Sequence, residues 1–299
     1  MGDFALDSVV VSEGTSAYNI FIIEKVGNAM KRFIFLVLCI ILSGLVIVYG
    51  KVQYDNKLSA TNQQAQAEMM KYQERLQAEQ LQKELEEQQR LERLVANLTP
   101  ELQSRFLEAL DSGETLKVVA MGSGALTSSG GAVPWPDRLQ ERVNKAYQQK
   151  LFEVKTLSFG EGNTFEVVGN DQHLKVAELK PDIFILEPFI WNDNGYARIQ
   201  DTLYHLGVIV EEVKRDNEDV VVFVQPPNPI YGAEFFVQQV NSVKEYSLEE
   251  GLYYFDHWEV WPGVNDELLR NYIEEGDHIP NEAGHEIWAE YIVNYFAAE

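Results

Sequence analysis

Four residues with the chemistry of acyl transfer fall in successive loops of this chain. The apolar run of residues 116–121 ends in Gly-Ser-Gly, which contains Ser123, and the loop after the next apolar run contains Gly162. Asn192 follows a third apolar run, and His278 lies in a loop before the last amphipathic stretch. A serine nucleophile, an imidazole base and N–H donors for an oxyanion are the groups that an acyl-transfer site combines. The pattern therefore indicates a serine nucleophile and a histidine base on one rim of the fold.

Carboxylates flank the candidate base and would orient its ring. Glu275 precedes His278 by three residues, and Asp277 is adjacent to it. The three-residue spacing favours Glu275, because an adjacent side chain rarely turns back on its neighbour. His257, in the sequence Phe-Asp-His-Trp, is the alternative base, although a buried, hydrogen-bonded histidine between aromatic residues explains it equally well.

Several of these positions also have a structural interpretation. Gly162 would suit a turn that needs a positive φ, and Asn192 would suit the cap of a helix beginning near Tyr196. Ser128 and Ser129 lie farther from the strand end than Ser123, which makes them weaker candidates for the nucleophile.

The elements that must position these residues alternate between strands and helices. Short apolar runs predict strands, and amphipathic stretches between them predict helices. Such alternation is typical of βαβ units, in which a parallel sheet has helices on both faces and functional loops at the carboxyl ends of the strands. The predicted strands cover residues 116–121, 152–159, 182–188, 219–225 and 252–258.

Residues 115–299 resemble the SGNH/GDSL hydrolase family of serine esterases and lipases. Four motif blocks follow the family's order: Gly-Ser-Gly-Ala-Leu, the glycine of Phe-Gly-Glu-Gly-Asn-Thr, Ile-Trp-Asn-Asp, and Asp-His-Ile-Pro-Asn-Glu-Ala-Gly-His. The resemblance implies a flavodoxin-like, three-layer α/β/α domain with a central parallel sheet and no cofactor. It also implies that Ser123 is the nucleophile and His278 the base, and that the Gly162 N–H and the Asn192 amide bind the oxyanion.

The sequence departs from the family's pattern in three of the four blocks. Gly124 stands where the family has its serine, and Ser123 occupies the place of the family's aspartate. Ile190 replaces a glycine, Glu275 replaces an aspartate, and Ile279 is inserted between the histidine and the proline. These departures leave an alternative, a catalytically inactive surface protein of the same fold that binds a glycan or a protein partner.

Composition argues against metal and nucleic-acid chemistry. The net charge of −23 opposes binding to phosphates. The histidines and carboxylates do not have the spacing of a metal motif such as His-Glu-x-x-His. Gly122 and Gly124 lack the third glycine and the downstream acid of a dinucleotide fingerprint. The sequence predicts neither a metal nor a cofactor.

The N-terminal third predicts a membrane anchor. Residues 33–50 carry no charge and lie between basic residues, and this length just spans a hydrocarbon core of about 30 Å as a helix. The cationic cluster on the N-terminal side places residues 1–32 in the cytoplasm and the remainder outside. About thirty mostly polar residues come first and no cleavage site is clear, so we expect an uncleaved anchor rather than a signal peptide.

A helical stalk is predicted after the anchor. Residues 51–98 are rich in Gln, Glu, Leu and Ala, which are helix formers, and an interrupted apolar spacing allows a dimeric coiled coil. Residues 99–114 predict a short helix that starts with Thr-Pro and leads into the domain.

Together with the resemblance, these segments predict a single-pass protein of a bacterial cell membrane with an extracellular esterase domain. The expected substrate is a small molecule or an envelope polysaccharide that carries an acyl ester, with acetyl as the candidate group. A homodimer through the stalk is the expected assembly.

Overall fold

The computed structural model describes residues 13–128, 130–215, 217–274, 276 and 278–298, with side chains from residue 24 onward. The chain divides into two compact units, Met1–Glu84 and Leu85–Glu299.

The first unit consists of the greater part of one long helix, α1, which spans Glu13–Leu94. Its segment Glu24–Leu94 contains a stretch that is, by length and composition, apolar and long enough to cross a membrane, and the side chains of residues 33–50 are exposed. The charge-free residues 33–50 lie inside it. Such a helix is the element that single-pass anchoring requires.

The second unit is built on one parallel sheet. Within the described residues its strands are β1 Leu116–Gly122, β2 Phe152–Ser158, β3 Ile183–Leu186, β4 Val221–Val224 and β5 Tyr253–Tyr254. They lie in the order β2-β1-β3-β4-β5, and every neighbouring pair is parallel. This is the flavodoxin-like order, so the predicted fold class is confirmed. Loops at the carboxyl ends of these strands meet at one edge of the sheet.

Helices cover both faces of the sheet. Successive side chains of β1 point to opposite faces: Val118 and Ala120 pack with one hydrophobic cluster, and Val119 and Met121 pack with the other. Helices α2, α3 and α9 contribute to the first cluster, and α7 and α8 contribute to the second. The helices after α1 are α2 Pro100–Ser112, α3 Trp135–Ala146, α4 Thr164–Gly169, α5 Leu174–Leu179, α6 Ile190–Asp193, α7 Ile199–Arg215, α8 Glu234–Glu249 and α9 Glu282–Phe296.

The compact unit begins well before residue 115. Leu94, Val95 and Leu98 are buried in the same cluster as helices α2 and α9. The Ala298 N–H donates to the Leu94 carbonyl at 2.9 Å, so the chain's last residues also hold this segment. Burial of these apolar side chains favours their inclusion in the domain. The compact unit therefore starts at Leu85. Its core includes six apolar residues from the range that the sequence assigns to the stalk and a leading helix: Leu94, Val95, Leu98, Leu102, Phe106 and Ala109.

Candidate active site

Three of the predicted site residues line one cleft at the carboxyl edge of the sheet. Ser123, Asn192 and His278 lie on different loops and share a cavity of about 410 Å³. Loops after β1, β2, β3 and β4 form its walls together with the segment before α9. The other lining residues are Gly124, Ala125, Gly160, Glu161, Trp191, Pro227, Asn228, Ile230, Gly276 and Ile279.

Ser123 is held firmly at the end of β1. Its Oγ caps a short 3₁₀ turn by accepting a hydrogen bond from the Ala125 N–H at 3.2 Å. Its backbone N–H donates to Glu187 Oε2 at 2.7 Å, and its carbonyl accepts from the Ser158 hydroxyl at 2.8 Å. The residue is 5% exposed and borders the cleft. Such an anchored serine is preorganised rather than part of a flexible turn.

Gly124, which stands at the family's serine position, is not required there by sterics. Its N–H donates to the Gly160 carbonyl at 2.9 Å. A Cβ built on Gly124 would lie 3.8 Å from the nearest atoms, which belong to the Gly160 backbone. That distance is ordinary van der Waals contact, so a small side chain fits at this position.

Both predicted oxyanion donors form internal hydrogen bonds. Asn192 Nδ2 donates to the carbonyls of Gly160 and Gly162, at 2.8 Å and 2.9 Å, and so fastens the loop after β2 to helix α6. The Gly162 N–H donates to the Phe159 carbonyl at 2.9 Å. The Asn192 amide and the Gly162 N–H can donate to a substrate oxygen only after their hydrogen bonds to these carbonyl oxygens break.

The structure does not place Gly162 at a positive φ or Asn192 at a helix cap, the two structural roles that the sequence suggested for these residues. The positive φ in the loop after β2 is at Gly160 (56°) and not at Gly162, where a Cβ would instead meet the Phe159 carbonyl at 3.0 Å. Asn192 lies within α6, a single turn of helix inside the loop between β3 and α7, rather than capping a helix, and the cap position of α6 is Phe189.

Loss of the Asn192 amide should weaken the attachment of this loop. In Asn192→Asp, oxygen replaces the NH2 donor and faces two carbonyl oxygens, so we expect the free energy of unfolding to fall by about 1–3 kcal/mol. Asn194→Asp is the matched control, because Asn194 is exposed two residues farther on. Urea unfolding of both variants gives the comparison, and equal stability of the two would contradict the attachment.

His278 lies in the cleft beside an indole. Its ring centroid is 4.9 Å from that of Trp191, and its backbone carbonyl accepts a hydrogen bond from Asn228 Nδ2 at 2.9 Å. Both contacts hold the residue at the cleft wall. The two carboxylates predicted to orient it, Glu275 and Asp277, lie outside the described residues, as does Ser129.

His257, the alternative base, is a core residue. Trp261 Nε1, which can only donate, bonds to His257 Nδ1 at 3.0 Å. The proton of His257 is therefore on Nε2, which donates to the Pro226 carbonyl at 2.8 Å. The ring stacks on Trp288 with centroids 4.2 Å apart, and complete burial lowers its pKa to about 3. A neutral, fully bonded imidazole outside the cleft lining does not act as the base.

Sequence reasoning missed one residue next to the candidate nucleophile. Glu187 follows β3 directly, is fully buried, and accepts the Ser123 N–H. Burial raises the pKa of its carboxyl to about 7. The signal in the sequence was a glutamate directly after the apolar run Ile-Phe-Ile-Leu, a place where an acidic residue costs stability.

Among the described residues, no group of three or more His, Cys, Asp or Glu side chains is arranged to hold a metal ion.

The fold and the arrangement of its loops define an SGNH/GDSL hydrolase fold. A protein of the G-D-S-L lipolytic family from Desulfitobacterium hafniense is similar at 17% identity and a TM-score of 0.50, over 60% of this chain and 99% of the other. An acetylxylan esterase from Geobacillus stearothermophilus is similar at 15% identity and a TM-score of 0.50, over 62% of this chain and 95% of the other. No protein-family model matches the sequence, and no curated protein matches it.

Proposed function

We propose that the C-terminal unit is a serine ester hydrolase with Ser123 as nucleophile and His278 as base. The observation that carries the proposal is the shared cleft: a serine, a histidine and an asparagine amide from three separate loops border the same 410 Å³ space. These are the functional groups that acyl transfer needs, and the fold supports the same class of chemistry.

In the proposed reaction, His278 takes the hydroxyl proton of Ser123 while Oγ bonds to the ester carbonyl carbon. The resulting oxyanion accepts hydrogen bonds from Asn192 Nδ2 and the Gly162 N–H, after these donors release their carbonyl partners. His278 returns the proton to the departing alcohol. It then deprotonates a water molecule, whose oxygen bonds to the acyl carbon; the bond from that carbon to Ser123 Oγ breaks, His278 returns the proton to Oγ, and the carboxylic acid leaves. Glu275 or Asp277 would orient the imidazole.

The cleft has room for a small acyl group beside apolar walls. Trp191, Ile230 and Ile279 supply apolar walls to a space of about 410 Å³, and an indole face is a suitable surface for a sugar ring. We therefore propose an acetyl ester on an envelope polysaccharide, or a similar ester, as the substrate. The fold shared with an acetylxylan esterase supports the choice of acyl group at the level of the fold.

The proposed location is a bacterial cell membrane, with a cytoplasmic N-terminus and an extracellular catalytic domain. The exposed apolar segment of α1 and the basic residues on its N-terminal side support this orientation. A homodimer through the stalk remains part of the proposal.

One observation favours a second function, a non-hydrolytic domain that binds an acylated glycan or a protein in the same cleft. Gly124 occupies the family's serine position, and the N–H groups of Gly124, Gly162 and Asn192 are all bonded to carbonyl oxygens within the protein. A binding site does not need free oxyanion donors.

Hydrolysis by the full-length chain in detergent distinguishes the two. We expect turnover of p-nitrophenyl acetate and acetylated xylo-oligosaccharides, with longer acyl chains poorer substrates. His278→Gln should lower kcat by about 10²–10⁴, because a positioned base contributes that much. Circular dichroism checks the fold of the variant. Wild-type turnover in His278→Gln, or binding of the oligosaccharide without hydrolysis, would move the assignment to the second function.

A further inference from the structure

The buried carboxyl group of Glu187 is hydrogen-bonded to the backbone of the candidate nucleophile, Ser123. Glu187 Oε2 accepts the Ser123 N–H at 2.7 Å, and the Ser123 hydroxyl also favours the charged form of Glu187. Glu187 is 0% exposed and follows the central strand β3, so its position is fixed by the sheet. The other oxygen, Oε1, has no hydrogen-bond partner among the described residues.

The chain leaves space for this carboxyl group at the end of β1. A Cβ on Gly122 would lie 2.6 Å from Glu187 Oε2, 2.8 Å from Glu187 Cβ and 2.8 Å from Leu126 Cδ1. Only glycine fits there without displacing the glutamate. The glycine at residue 122 therefore makes room for the Glu187 carboxyl group next to Ser123.

Burial of a carboxylate is costly, and the contacts that offset this cost for Glu187 come mainly from Ser123. Desolvation, and to a lesser extent the Asp193 carboxylate on helix α6, raise the pKa of Glu187 to about 7. The Ser123 hydroxyl, the Ser123 N–H and the Phe189 N–H act in the opposite direction and favour ionisation. The group therefore titrates in the physiological range.

We propose that Glu187 is a positioning residue, whose carboxylate anchors the backbone of Ser123 so that this serine, one place earlier than in the family's motif, presents its Oγ to the cleft. The inference rests on the proposed ester hydrolysis. Hydrogen bonds to an ionised acceptor are about twice as strong as neutral ones. Protonation of Glu187 weakens its hydrogen bond with the Ser123 N–H, so the reactivity of the Ser123 hydroxyl should rise with pH as Glu187 ionises.

The test uses the full-length chain in detergent and two readouts from pH 5.5 to 8.5. The first is the rate at which a fluorophosphonate labels Ser123, and the second is kcat and KM for p-nitrophenyl acetate. Glu187→Gln keeps the size and a neutral acceptor but removes the charge. Glu249→Gln, on the exposed end of α8, removes the same charge away from the cleft.

For Glu187→Gln we expect labelling and kcat about 10-fold lower at pH 8, the ratio that corresponds to roughly 1.4 kcal/mol. KM should stay within about 2-fold. Labelling of the wild type should rise more steeply with pH through about 7 than that of the variant, because the variant lacks the carboxyl group of Glu187 and keeps only the His278 base. Glu249→Gln should behave as the wild type. Wild-type labelling rates and pH dependence in Glu187→Gln would overturn the proposal.

The remaining outcomes separate this inference from the proposed function. A chain that is labelled but hydrolyses no ester overturns the function, while its labelling rates still test Glu187. A wild-type chain that is neither labelled nor active overturns both. If Glu187→Gln fails to fold, the residual labelling of His278→Gln replaces it, because that variant retains Glu187 and lacks the base. Residual labelling that does not rise between pH 6 and 8 overturns the role of Glu187.

Discussion

Replacement of Ser123 by alanine is expected to reduce ester hydrolysis by at least about 10³-fold in kcat. The hydroxyl is the only group of this residue that forms a bond to the acyl carbon in the proposed mechanism, so its loss removes the acyl-enzyme. The loss of stability should be small compared with the loss of activity: Oγ accepts one weak hydrogen bond, from the Ala125 N–H at 3.2 Å, and the hydroxyl also favours the charged form of Glu187. Binding of substrate in the cleft should persist.

Ser128→Ala is the matched control for this change. Its hydroxyl lies in the same loop but outside the cleft lining. Steady-state kinetics of both variants, with circular dichroism to verify the fold, gives the comparison. Equal turnover in Ser123→Ala and Ser128→Ala would show that Ser123 is not the nucleophile and would favour the binding function.

A fragment that starts at residue 99 is expected to be far less stable than Leu85–Glu299. The shorter fragment lacks Leu94, Val95 and Leu98, which are buried in the first hydrophobic cluster. Full burial of each such side chain is worth about 1.5–3 kcal/mol, so the loss is about 5 kcal/mol or more. That is a large part of the stability of a typical domain.

Urea unfolding of the two fragments tests this expectation. Leu98→Ala in the longer fragment should lower the free energy of unfolding by about 2–5 kcal/mol. Leu85→Ala, at a side chain 53% exposed, should change it by less than about 0.5 kcal/mol. Equal midpoints for the two fragments would show that the domain does not depend on the end of α1.

Local patterns were sufficient to predict the sheet and most of its loops. The apolar runs around Val118, Ile185 and Phe223 are nearly continuous, because parallel strands with helices on both faces are buried on both sides. Loops after such strands meet at one edge, which is why Ser123, Asn192 and His278 were expected together. Glu275 and Asp277 remain predictions.

Features that depend on contacts between distant residues were not predicted from local patterns. The role of Glu187 depends on its meeting Ser123, 64 positions away in the chain. The core position of His257 depends on Trp261, Pro226 and Trp288. The burial of Leu94 and Leu98 was not predicted, because both continue the composition of an exposed helix and their burial depends on residues of the first hydrophobic cluster that lie far along the chain.

The open space at Gly124 bears on how activity is judged in sequences of this kind. A Cβ there meets nothing closer than 3.8 Å, so serine is sterically acceptable at residue 124 as well as at residue 123. Two adjacent backbone positions are thus available to a hydroxyl at the mouth of the same cleft. A comparison of sequences column by column would find a glycine at residue 124 and overlook the hydroxyl of Ser123, which borders the same cleft one residue earlier.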